Sequence, residues 1–455
     1  MNDGPSKPEA ELLRTRKSGP LRGSCRVPGD KSLSHRALLF SALGNSRVTI
    51  AGLGLGQDNA STAGALRALG VPIVHEQGRD AAVVDGVGFA GLKKSSAPVD
   101  CGNSGTTIRL LMGLLAGRPF ATELFGDASL SRRPMGRVAG PLGLMGARFE
   151  GESRADRPGD LFPPLTVMGG PLKGIRHDLH VASAQLKTAI VLAGLQADGP
   201  TELTEPGLSR DHTERMLARM GAPITVDPAS RRVRIDPTGW NRILDTSSCH
   251  TIEVPGDISS AAFIVAAAAM VPGSDITVTD VGLNPTRTGI LDALVAMGAD
   301  VTIQVDGEMM GEPWGRVRVR AQPLKGARID GELALRCLDE IPILAMVAAT
   351  ASGQTVFEDL AELRVKESDR ITSIVRELTR AGVQVDERPS GLTVFHHTGK
   401  VQGGRAVPDH DHRIAMSAAV LGLLSTEPTE IPTADIGTSF PTFAETLSNL
   451  GASLN

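Results

Sequence analysis

The sequence predicts a two-domain α/β protein built from six copies of one small unit, three in each domain. The chain has 455 residues, which is more than one ordinary hydrophobic core supports. One phrase, an amphipathic helix followed by glycine and a short strand, recurs six times along the chain. The stretch 27–43 also matches the stretch 254–270 without a gap. The second half of the chain therefore repeats the organisation of the first.

The six phrases share a glycine between the helix and the strand. In TAGALRALGVPIV and ILDALVAMGADVTI, leucine and methionine recur at three- and four-residue spacing, which buries one face of the helix. The glycine stands where the helix ends, a position that favours left-handed backbone. The copies follow one another at roughly 75-residue intervals, as in a structural repeat. The six glycines are Gly70, Gly146, Gly221, Gly298, Gly382 and Gly451.

Composition narrows the class of protein. Hydrophobic residues make up 41%, charged residues 22%, and the formal net charge is −4, values typical of a soluble globular protein without a nucleic-acid or membrane surface. The four cysteines lie far apart and form no zinc motif, so we expect a reduced, cytoplasmic protein without a metal. Residues 1–20 contain no apolar run, which predicts a flexible tail rather than a secretory signal.

A cluster of positive charge opens the helix predicted within VPGDKSLSHRALLF. Cations are disfavoured on the first turn of a helix, yet Lys31 and Arg36 stand there. In the matching stretch of the second half, Ile258 and Phe263 take their places, so the fold does not require these charges. A solvated surface helix is one interpretation. An anion-binding helix N-terminus explains the difference between the copies better.

Seven further stretches place polar or charged groups before an apolar helix or in the loop leading to one. Each, taken singly, could be an ordinary capped helix or a solvated loop. Together they predict a cleft that attracts a multiply negative ligand, with the carboxylates Asp339 and Glu367 available for proton transfer. A nucleotide-binding P-loop is excluded, because Cys25 and Asp30 occupy the two glycine positions of that motif.

The phrases PGDKSLSHR, GNSGTTIRLL, GDASLSRRPMG, SAQLK, RDHTERM, LDEIPILA, LRVKESDR, DHDHRIAM and TSFPTF together closely resemble the 5-enolpyruvylshikimate-3-phosphate (EPSP) synthase family. The resemblance runs from about residue 20 to the end and is closest to the class with SAQ-x-K and TSFP motifs. It implies a two-domain inside-out α/β barrel, with three βαβαββ repeats per domain about a pseudo-threefold axis. Residues 31–252 would form one domain, and 1–30 plus 253–455 the other. Ligand groups on both domains imply closure around the substrates.

The resemblance implies transfer of the enolpyruvyl group of phosphoenolpyruvate to the 5-hydroxyl of shikimate 3-phosphate, with release of phosphate. No metal and no organic cofactor are implied. Both substrates carry a phosphate and a carboxylate, and two unit charges about 4 Å apart repel by roughly 4 kcal/mol at an effective dielectric near 20. Clustered cations would offset that repulsion. We expect a cytoplasmic monomer, inhibited by glyphosate, without nucleic-acid or membrane partners.

The resemblance also implies a role for individual residues. Shikimate 3-phosphate would be bound by Lys31, Ser32, Arg36, Ser183, Ala184, Gln185, Arg210, Asp339 and Lys366. Phosphoenolpyruvate would be bound by Lys31, Asn103, Gly105, Arg133, Gln185, Arg370 and Arg413. Lys31, Asp339 and Glu367 are the catalytic candidates: Asp339 matches the acceptor of the hydroxyl proton and Glu367 the proposed donor to the methylene carbon.

Two positions bear on how closely the chain follows the family. Many members carry a lysine before the C-terminal T-F-P motif, whereas Thr438 and Ser439 stand there in this chain. Members that resist glyphosate often carry alanine at the position of Gly105, so we expect this enzyme to be sensitive.

Two other classes of function are less consistent with the residues. The related transferase that acts on UDP-N-acetylglucosamine usually has a reactive cysteine five residues before its Arg-Pro, a position held here by Ala128. A non-catalytic anion-binding paralogue, or an RNA-end-binding protein on a related fold, would have lost the carboxylate pair or gained a basic, aromatic surface. Asp339 and Glu367 are both present, and the net charge is negative.

Overall fold

The computed structural model describes residues 12–54, 56–76, 79–433 and 436–454, which form two compact units. The first unit comprises Pro28–Pro255 and Gly307–Trp314. The second unit comprises the described residues of Met1–Val27, Gly256–Asp306 and Gly315–Asn455. The segment Gly307–Trp314, which belongs to the first unit, was not anticipated by the sequence analysis.

Three four-stranded sheets in the first unit share one topology. In each, the first strand named below pairs in parallel with the second, and the remaining pairs are antiparallel. The sheets are Thr251–Glu253, Arg47–Ala51, Ala81–Asp85 and Ile73–His75; Val99–Asp100, Ala121–Phe125, Arg157–Met168 and Arg148–Arg154; and Arg176–Asp178, Thr201–Thr204, Arg232–Ile235 and Ile224–Asp227. The predicted repetition is thus visible in the strand pairing.

Three further sheets are formed largely by described residues of the second unit, although the parts of Asp300–Met309 and Glu312–Arg320 that fall within Gly307–Trp314 belong to the first. They are Arg22–Cys25, Asp275–Gly282, Glu312–Arg320 and Asp300–Met309; Arg328–Ile329, Gln354–Phe357, Gly391–Phe395 and Val385–Arg388; and Gly404–Arg405, Thr429–Pro432 and Leu12–Thr15. Leu12–Thr15 pairs antiparallel with Thr429–Pro432. The expectation of a flexible tail over residues 1–20 is therefore wrong from Leu12 onward, and its first eleven positions lie outside the described residues.

Helices complete each repeat, and several are buried around their whole circumference. Every residue of Ile258–Met270 and of Ile341–Ala348 is buried, and both helices pack against His412–Gly422 in the core of the second unit. In the first unit, Gly105–Ala116 packs against Ala184–Gly194. The remaining α-helices are Lys31–Ala42, Gln57–Ala68, Gly88–Gly91, Gly136–Leu144, His212–Arg219, Gly289–Ala296, Gly331–Arg336, Arg370–Arg380 and Phe443–Asn449. Short 3₁₀ turns occupy Leu130–Arg132, Leu338–Glu340, Ala361–Val365 and Ile436–Thr438.

The six repeated glycines end their helices as the sequence predicts. All six have positive φ, between 70° and 109°. At Gly70, the glycine N–H donates to the carbonyl of Arg67, and the next N–H, of Val71, donates to Leu66, the paired bonds of a Schellman cap. Equivalent pairs of bonds close the other five helices. A left-handed residue is needed at each of these positions, and glycine adopts that conformation without strain.

Among the described residues, none of the helices combines the length and the apolar character that a membrane crossing requires. Within the same ranges, no three or more histidine, cysteine, aspartate or glutamate side chains are grouped as metal ligands.

Candidate active site

The helix Lys31–Ala42 presents the first predicted cations of the first unit. Its N-cap, Asp30, accepts a hydrogen bond from the Leu33 N–H at 2.8 Å, as expected for the Pro-Gly-Asp turn. Lys31 Nζ lies 3.0 Å from Asp58 Oδ2, on the helix Gln57–Ala68. Burial raises the pKa of Asp58, but the neighbouring basic groups together, Lys31 foremost, hold that pKa below its ordinary value. Lys31 is therefore oriented by a carboxylate and still partly open to solvent.

Arg36 is buried from solvent and surrounded by uncharged acceptors. Its Nε donates to Thr213 Oγ1 at 2.8 Å and its Nη2 donates to Thr188 Oγ1 at 2.9 Å. Its Nη1 donates to the Ser32 carbonyl at 3.0 Å. Burial lowers the pKa of Arg36 to about 10, so the guanidinium keeps its charge at neutral pH. A buried cation held by hydroxyls is suited to binding an anion.

His35, between these cations in sequence, is not itself a cation. It is 1% exposed, and its Nδ1 lies 2.7 Å from Thr62 Oγ1. Burial lowers the pKa of His35 to about 3, although Asp58 acts in the opposite direction. The ring is neutral at physiological pH and belongs to the packing beneath the site.

Arg133 and Asn103 form a second predicted group of the first unit. Arg133 Nη2 donates to Asn103 Oδ1 at 2.7 Å, and Asn103 Nδ2 donates to Asp127 Oδ2 at 2.6 Å. Asn103 lies in the loop before the helix Gly105–Ala116, whose N-cap Ser104 accepts from the Thr107 N–H at 3.1 Å. Asn103 therefore connects Arg133 to Asp127.

The start of the helix Gly105–Ala116 is crowded by guanidinium groups. A Cβ at Gly105 would lie 2.9 Å from Arg109 Nη1 and 3.1 Å from Arg133 Nη1. Arg109 Nη1 also donates to Gln185 Oε1 at 2.7 Å, and Gln185 Nε2 donates to Thr106 Oγ1 at 2.9 Å. These contacts bring together Gly105, Arg133 and Gln185, three of the predicted phosphoenolpyruvate ligands.

The remaining predicted residues of this unit lie at the starts of three helices. Ser183 is the N-cap of the helix Ala184–Gly194 and accepts from the Leu186 N–H at 3.4 Å. Arg210, in the loop before the helix His212–Arg219, places Nη1 3.5 Å from Ser32 Oγ. Ser32 thus contacts two arginines: its carbonyl accepts from Arg36, and its hydroxyl oxygen accepts from Arg210.

Arg370 is the centre of the predicted group in the second unit. Its Nε donates to Asp411 Oδ2 at 2.7 Å, its Nη1 to Asp339 Oδ1 at 3.2 Å and its Nη2 to Glu367 Oε2 at 2.8 Å. The side chain is almost fully buried. Burial alone would lower the pKa of Arg370, but the three carboxylates, Glu367 foremost, raise it. One guanidinium therefore fixes both candidate acid–base carboxylates.

Arg413 and Lys366 contact the same group. Arg413 Nη1 donates to the Asp339 carbonyl at 3.0 Å and to Ser259 Oγ at 2.6 Å. Lys366 Nζ lies 3.9 Å from Asp339 Oδ1 and 3.0 Å from Glu362 Oε1. Every predicted residue of the second unit is therefore in direct contact with another member of the predicted group.

The segment LRVKESDRITSIV is only partly helical. A continuous helix would place Lys366 and Arg370 on one face, but the helix begins only at Arg370, where Asp369 caps it by accepting from the Thr372 N–H at 3.2 Å. Lys366 and Glu367 precede it, after a short 3₁₀ turn. Because Asp369 is the N-cap, the helix starts after Lys366 and Glu367 and does not include them.

Some residues that organise the site carry no clear sequence signal. Asp58, which orients Lys31, is an acid in the first turn of a helix, an ordinary position for a carboxylate. Thr188 and Thr213, which accept from Arg36, lie far from it in sequence and are indistinguishable there from packed helix residues. Only their contacts reveal the role.

Known proteins resemble this chain along most of its length. The family model for EPSP synthase (3-phosphoshikimate 1-carboxyvinyltransferase) matches residues 15–447. A 3-phosphoshikimate 1-carboxyvinyltransferase of Synechococcus sp. strain JA-3-3Ab is 48% identical over 445 residues, which is 97% of each chain. The enzyme of that name from Bacillus subtilis strain 168 is 45% identical over 434 residues, 94% of this chain and 97% of the relative.

Solved structures extend the comparison to the fold. EPSP synthase from Acinetobacter baumannii superposes with a TM-score of 0.86 at 38% identity, covering 98% of this chain and 99% of that one. An enolpyruvyl transferase of Streptomyces tendae shares the fold alone, with a TM-score of 0.76 at 18% identity. On the family match and these identities, the chain belongs to the EPSP synthase family, the 3-phosphoshikimate 1-carboxyvinyltransferases.

Proposed function

We propose that this chain catalyses the reaction of its family in the shikimate pathway. The enolpyruvyl group of phosphoenolpyruvate is transferred to the 5-hydroxyl of shikimate 3-phosphate, and phosphate is released. The observation that carries the proposal is the pairing of Asp339 and Glu367 on the single guanidinium of Arg370. Two carboxyl groups held this way supply an acceptor for the hydroxyl proton and a group that gives a proton to the methylene carbon and takes one back.

The first unit supplies most of the groups that bind shikimate 3-phosphate, and Asp339 and Lys366 belong to the second unit. Arg36 binds the substrate carboxylate, since its buried guanidinium is held by hydroxyls and keeps its charge. Arg210 and Ser32 bind the phosphate beside it, together with the helix start at Ser183, Ala184 and Gln185. Lys31, partly open to solvent, reaches both substrates.

Phosphoenolpyruvate is bound by arginines, whose planar forks match carboxylate and phosphate oxygens. Arg133 and Asn103, which are hydrogen-bonded to each other, and the open backbone at Gly105 form one part of this site. Arg370 and Arg413 are the phosphoenolpyruvate ligands that the second unit supplies. Positive charge from all of these groups offsets the repulsion between two anionic substrates.

The chemical steps follow from the carboxylates. Asp339 accepts the proton of the 5-hydroxyl, with Lys366 beside it as counter-charge. Glu367 donates a proton to the methylene carbon of phosphoenolpyruvate, which makes the neighbouring carbon electrophilic. The oxygen adds to that carbon and gives a tetrahedral intermediate that carries a methyl group. The carboxylate of Glu367 then takes a proton back from the methyl group as phosphate leaves, which restores the double bond of the enolpyruvyl group. No step needs a metal or an organic cofactor.

The finer features expected from the sequence belong to the same proposal. They are the inside-out barrel with pseudo-threefold βαβαββ repeats, a cytoplasmic monomer, and inhibition by glyphosate at the phosphoenolpyruvate site. The repeated pairing order of the sheets supports the first of these.

A phosphate-release assay with purified protein tests the function. We expect turnover only when phosphoenolpyruvate and shikimate 3-phosphate are both present, and none when UDP-N-acetylglucosamine replaces shikimate 3-phosphate. Release with the nucleotide sugar, or no release with either acceptor, contradicts the proposal.

A further inference from the structure

Lys187 is a buried ammonium shared between two carboxylates. It is 1% exposed, and its Nζ lies 2.7 Å from Glu205 Oε2 and 2.6 Å from Glu214 Oε1. Burial alone would lower the pKa of Lys187, but Glu214 and Glu205 raise it. A buried ion pair of this kind seldom adds stability over apolar packing. Stability is therefore a poor explanation for three charges at this place.

Each carboxylate is connected to one arginine of the predicted shikimate 3-phosphate site: Glu205 to Arg210, and Glu214 to Arg36. Glu205 accepts a hydrogen bond from Ser209 Oγ, the residue before Arg210. Glu214 follows Thr213, whose hydroxyl accepts from Arg36. Glu214 also acts electrostatically on Arg36 and raises its pKa, opposing the larger effect of burial.

Lys187 directly precedes Thr188, the second threonine that accepts a hydrogen bond from Arg36. Thr188 Oγ1 accepts from Arg36 Nη2, and the hydroxyls of Thr188 and Thr213 lie 2.6 Å apart. The lysine thus joins three pieces of backbone around that guanidinium: its own helix, the loop after the strand Thr201–Thr204, and the helix His212–Arg219.

We propose that Lys187 is a positioning residue for shikimate 3-phosphate, acting through Glu205 and Glu214 and not by touching the substrate. The inference rests on the proposed roles of Arg36 and Arg210. Neutralising the two buried carboxylates keeps them from competing with the substrate's carboxylate and phosphate for those two arginines. Lys187 also fixes the positions of Thr213 and Ser209, and so the geometry of both cations.

Lys187→Met tests the proposal, because methionine fills similar volume without charge. We expect the KM and the calorimetric Kd for shikimate 3-phosphate to rise at least tenfold, while the KM for phosphoenolpyruvate changes less than threefold. The double variant Lys187→Met/Glu214→Gln removes one competing carboxylate and should recover part of the lost affinity. Lys173→Met, at an exposed lysine of the same unit, is the control and should match the wild type.

An unchanged affinity for shikimate 3-phosphate, or an equal rise in both KM values, overturns the proposal, since the latter marks a role in the scaffold alone. If Lys187→Met does not fold, Glu214→Gln is measured by itself: it breaks one arm of the ion pair and releases the helix that carries Thr213, so the Kd for shikimate 3-phosphate should rise at least threefold while the KM for phosphoenolpyruvate stays the same, and an unchanged Kd overturns the proposal. Failure of the proposed function is distinct, because wild-type protein would then bind no shikimate 3-phosphate.

Discussion

The guanidinium of Arg370 and the carboxylate of Asp339 form a charged hydrogen bond, 3.2 Å from Nη1 to Oδ1. The same guanidinium binds Glu367 through Nη2. Because Asp339 also has Lys366 Nζ at 3.9 Å, two cations stabilise its ionised form. An ionised carboxylate, held in place and partly open to solvent, is what a proton acceptor for a hydroxyl requires.

Asp339→Asn should lower turnover by about a thousandfold, within the range of general-base catalysis. The amide keeps the shape of the side chain but cannot take the hydroxyl proton. Phosphate release measures turnover, and calorimetry should show shikimate 3-phosphate still bound within tenfold of the wild-type Kd. Asp275→Asn, which removes an exposed ion pair with Arg318, is the matched control and should retain full activity. Normal turnover of Asp339→Asn would remove Asp339 from the mechanism.

Arg36→Lys tests the buried cation of the first unit. Lysine keeps the charge but lacks the planar fork that bonds Thr213, Thr188 and a substrate carboxylate together. The Kd for shikimate 3-phosphate should rise about 10- to 100-fold, equivalent to about 1.4–3 kcal/mol. Arg47→Lys, at an exposed arginine paired with Asp85, should bind like the wild type. An equal Kd for Arg36→Lys and the wild type would show that Arg36 does not bind the substrate.

Local features of this fold are predictable from sequence because neighbours along the chain create them. The Asp30 cap bonds an N–H three residues away, and the turn at Gly70 is closed by backbone bonds that span only a few residues. The sequence also identified which charges the scaffold does not need, because Ile258 and Phe263 replace Lys31 and Arg36 in the second copy.

Contacts between distant segments are not predictable in this way. The lack of an apolar run in residues 1–20 predicts a flexible tail, yet Leu12–Thr15 pairs with Thr429–Pro432, a partner more than four hundred positions away. The role of Lys187 likewise depends on Glu205 and Glu214 arriving from two other elements. Sequence patterns record the type of residue, and the contacts that give it a role arise only on folding.

The wild-type enzyme is expected to be sensitive to glyphosate. Gly105→Ala should weaken the binding of glyphosate more than the binding of phosphoenolpyruvate, because glyphosate has the longer backbone. The added Cβ would lie 2.9 Å from Arg109 Nη1 and 3.1 Å from Arg133 Nη1, so the ends of both arginines must shift. We expect the inhibition constant to rise at least tenfold and the KM for phosphoenolpyruvate severalfold, both measured by phosphate release.

Gly64→Ala is the control for that substitution. No atom lies within 4 Å of a Cβ there, and the helix Gln57–Ala68 should gain about 0.5–1 kcal/mol from the better helix former. Inhibition of Gly64→Ala should equal that of the wild type. Equal inhibition of Gly105→Ala and the wild type, or a wild type insensitive to glyphosate, would contradict the expected contact.

His35 predicts how the stability of the first unit depends on pH. Its pKa is lowered to about 3 by burial, whereas an unfolded histidine titrates near 6.5. Between those values the unfolded state binds a proton that the folded state does not, so this contribution is complete above pH 6.5 and is lost as the pH falls. Relative to His35→Gln, the wild-type free energy of unfolding should drop by about 2 kcal/mol from pH 7 to pH 5.

Urea unfolding followed by tryptophan fluorescence measures this difference, since Trp240 and Trp314 both belong to the first unit. The comparison uses the change with pH and not the absolute stability, because glutamine also alters the packing around Thr62. His180→Gln, at an exposed ring, is the control and should follow the wild type at every pH. Parallel curves for the wild type and His35→Gln would mean that His35 binds its proton equally well in the folded and unfolded states, which contradicts a buried ring that stays neutral between pH 5 and pH 7.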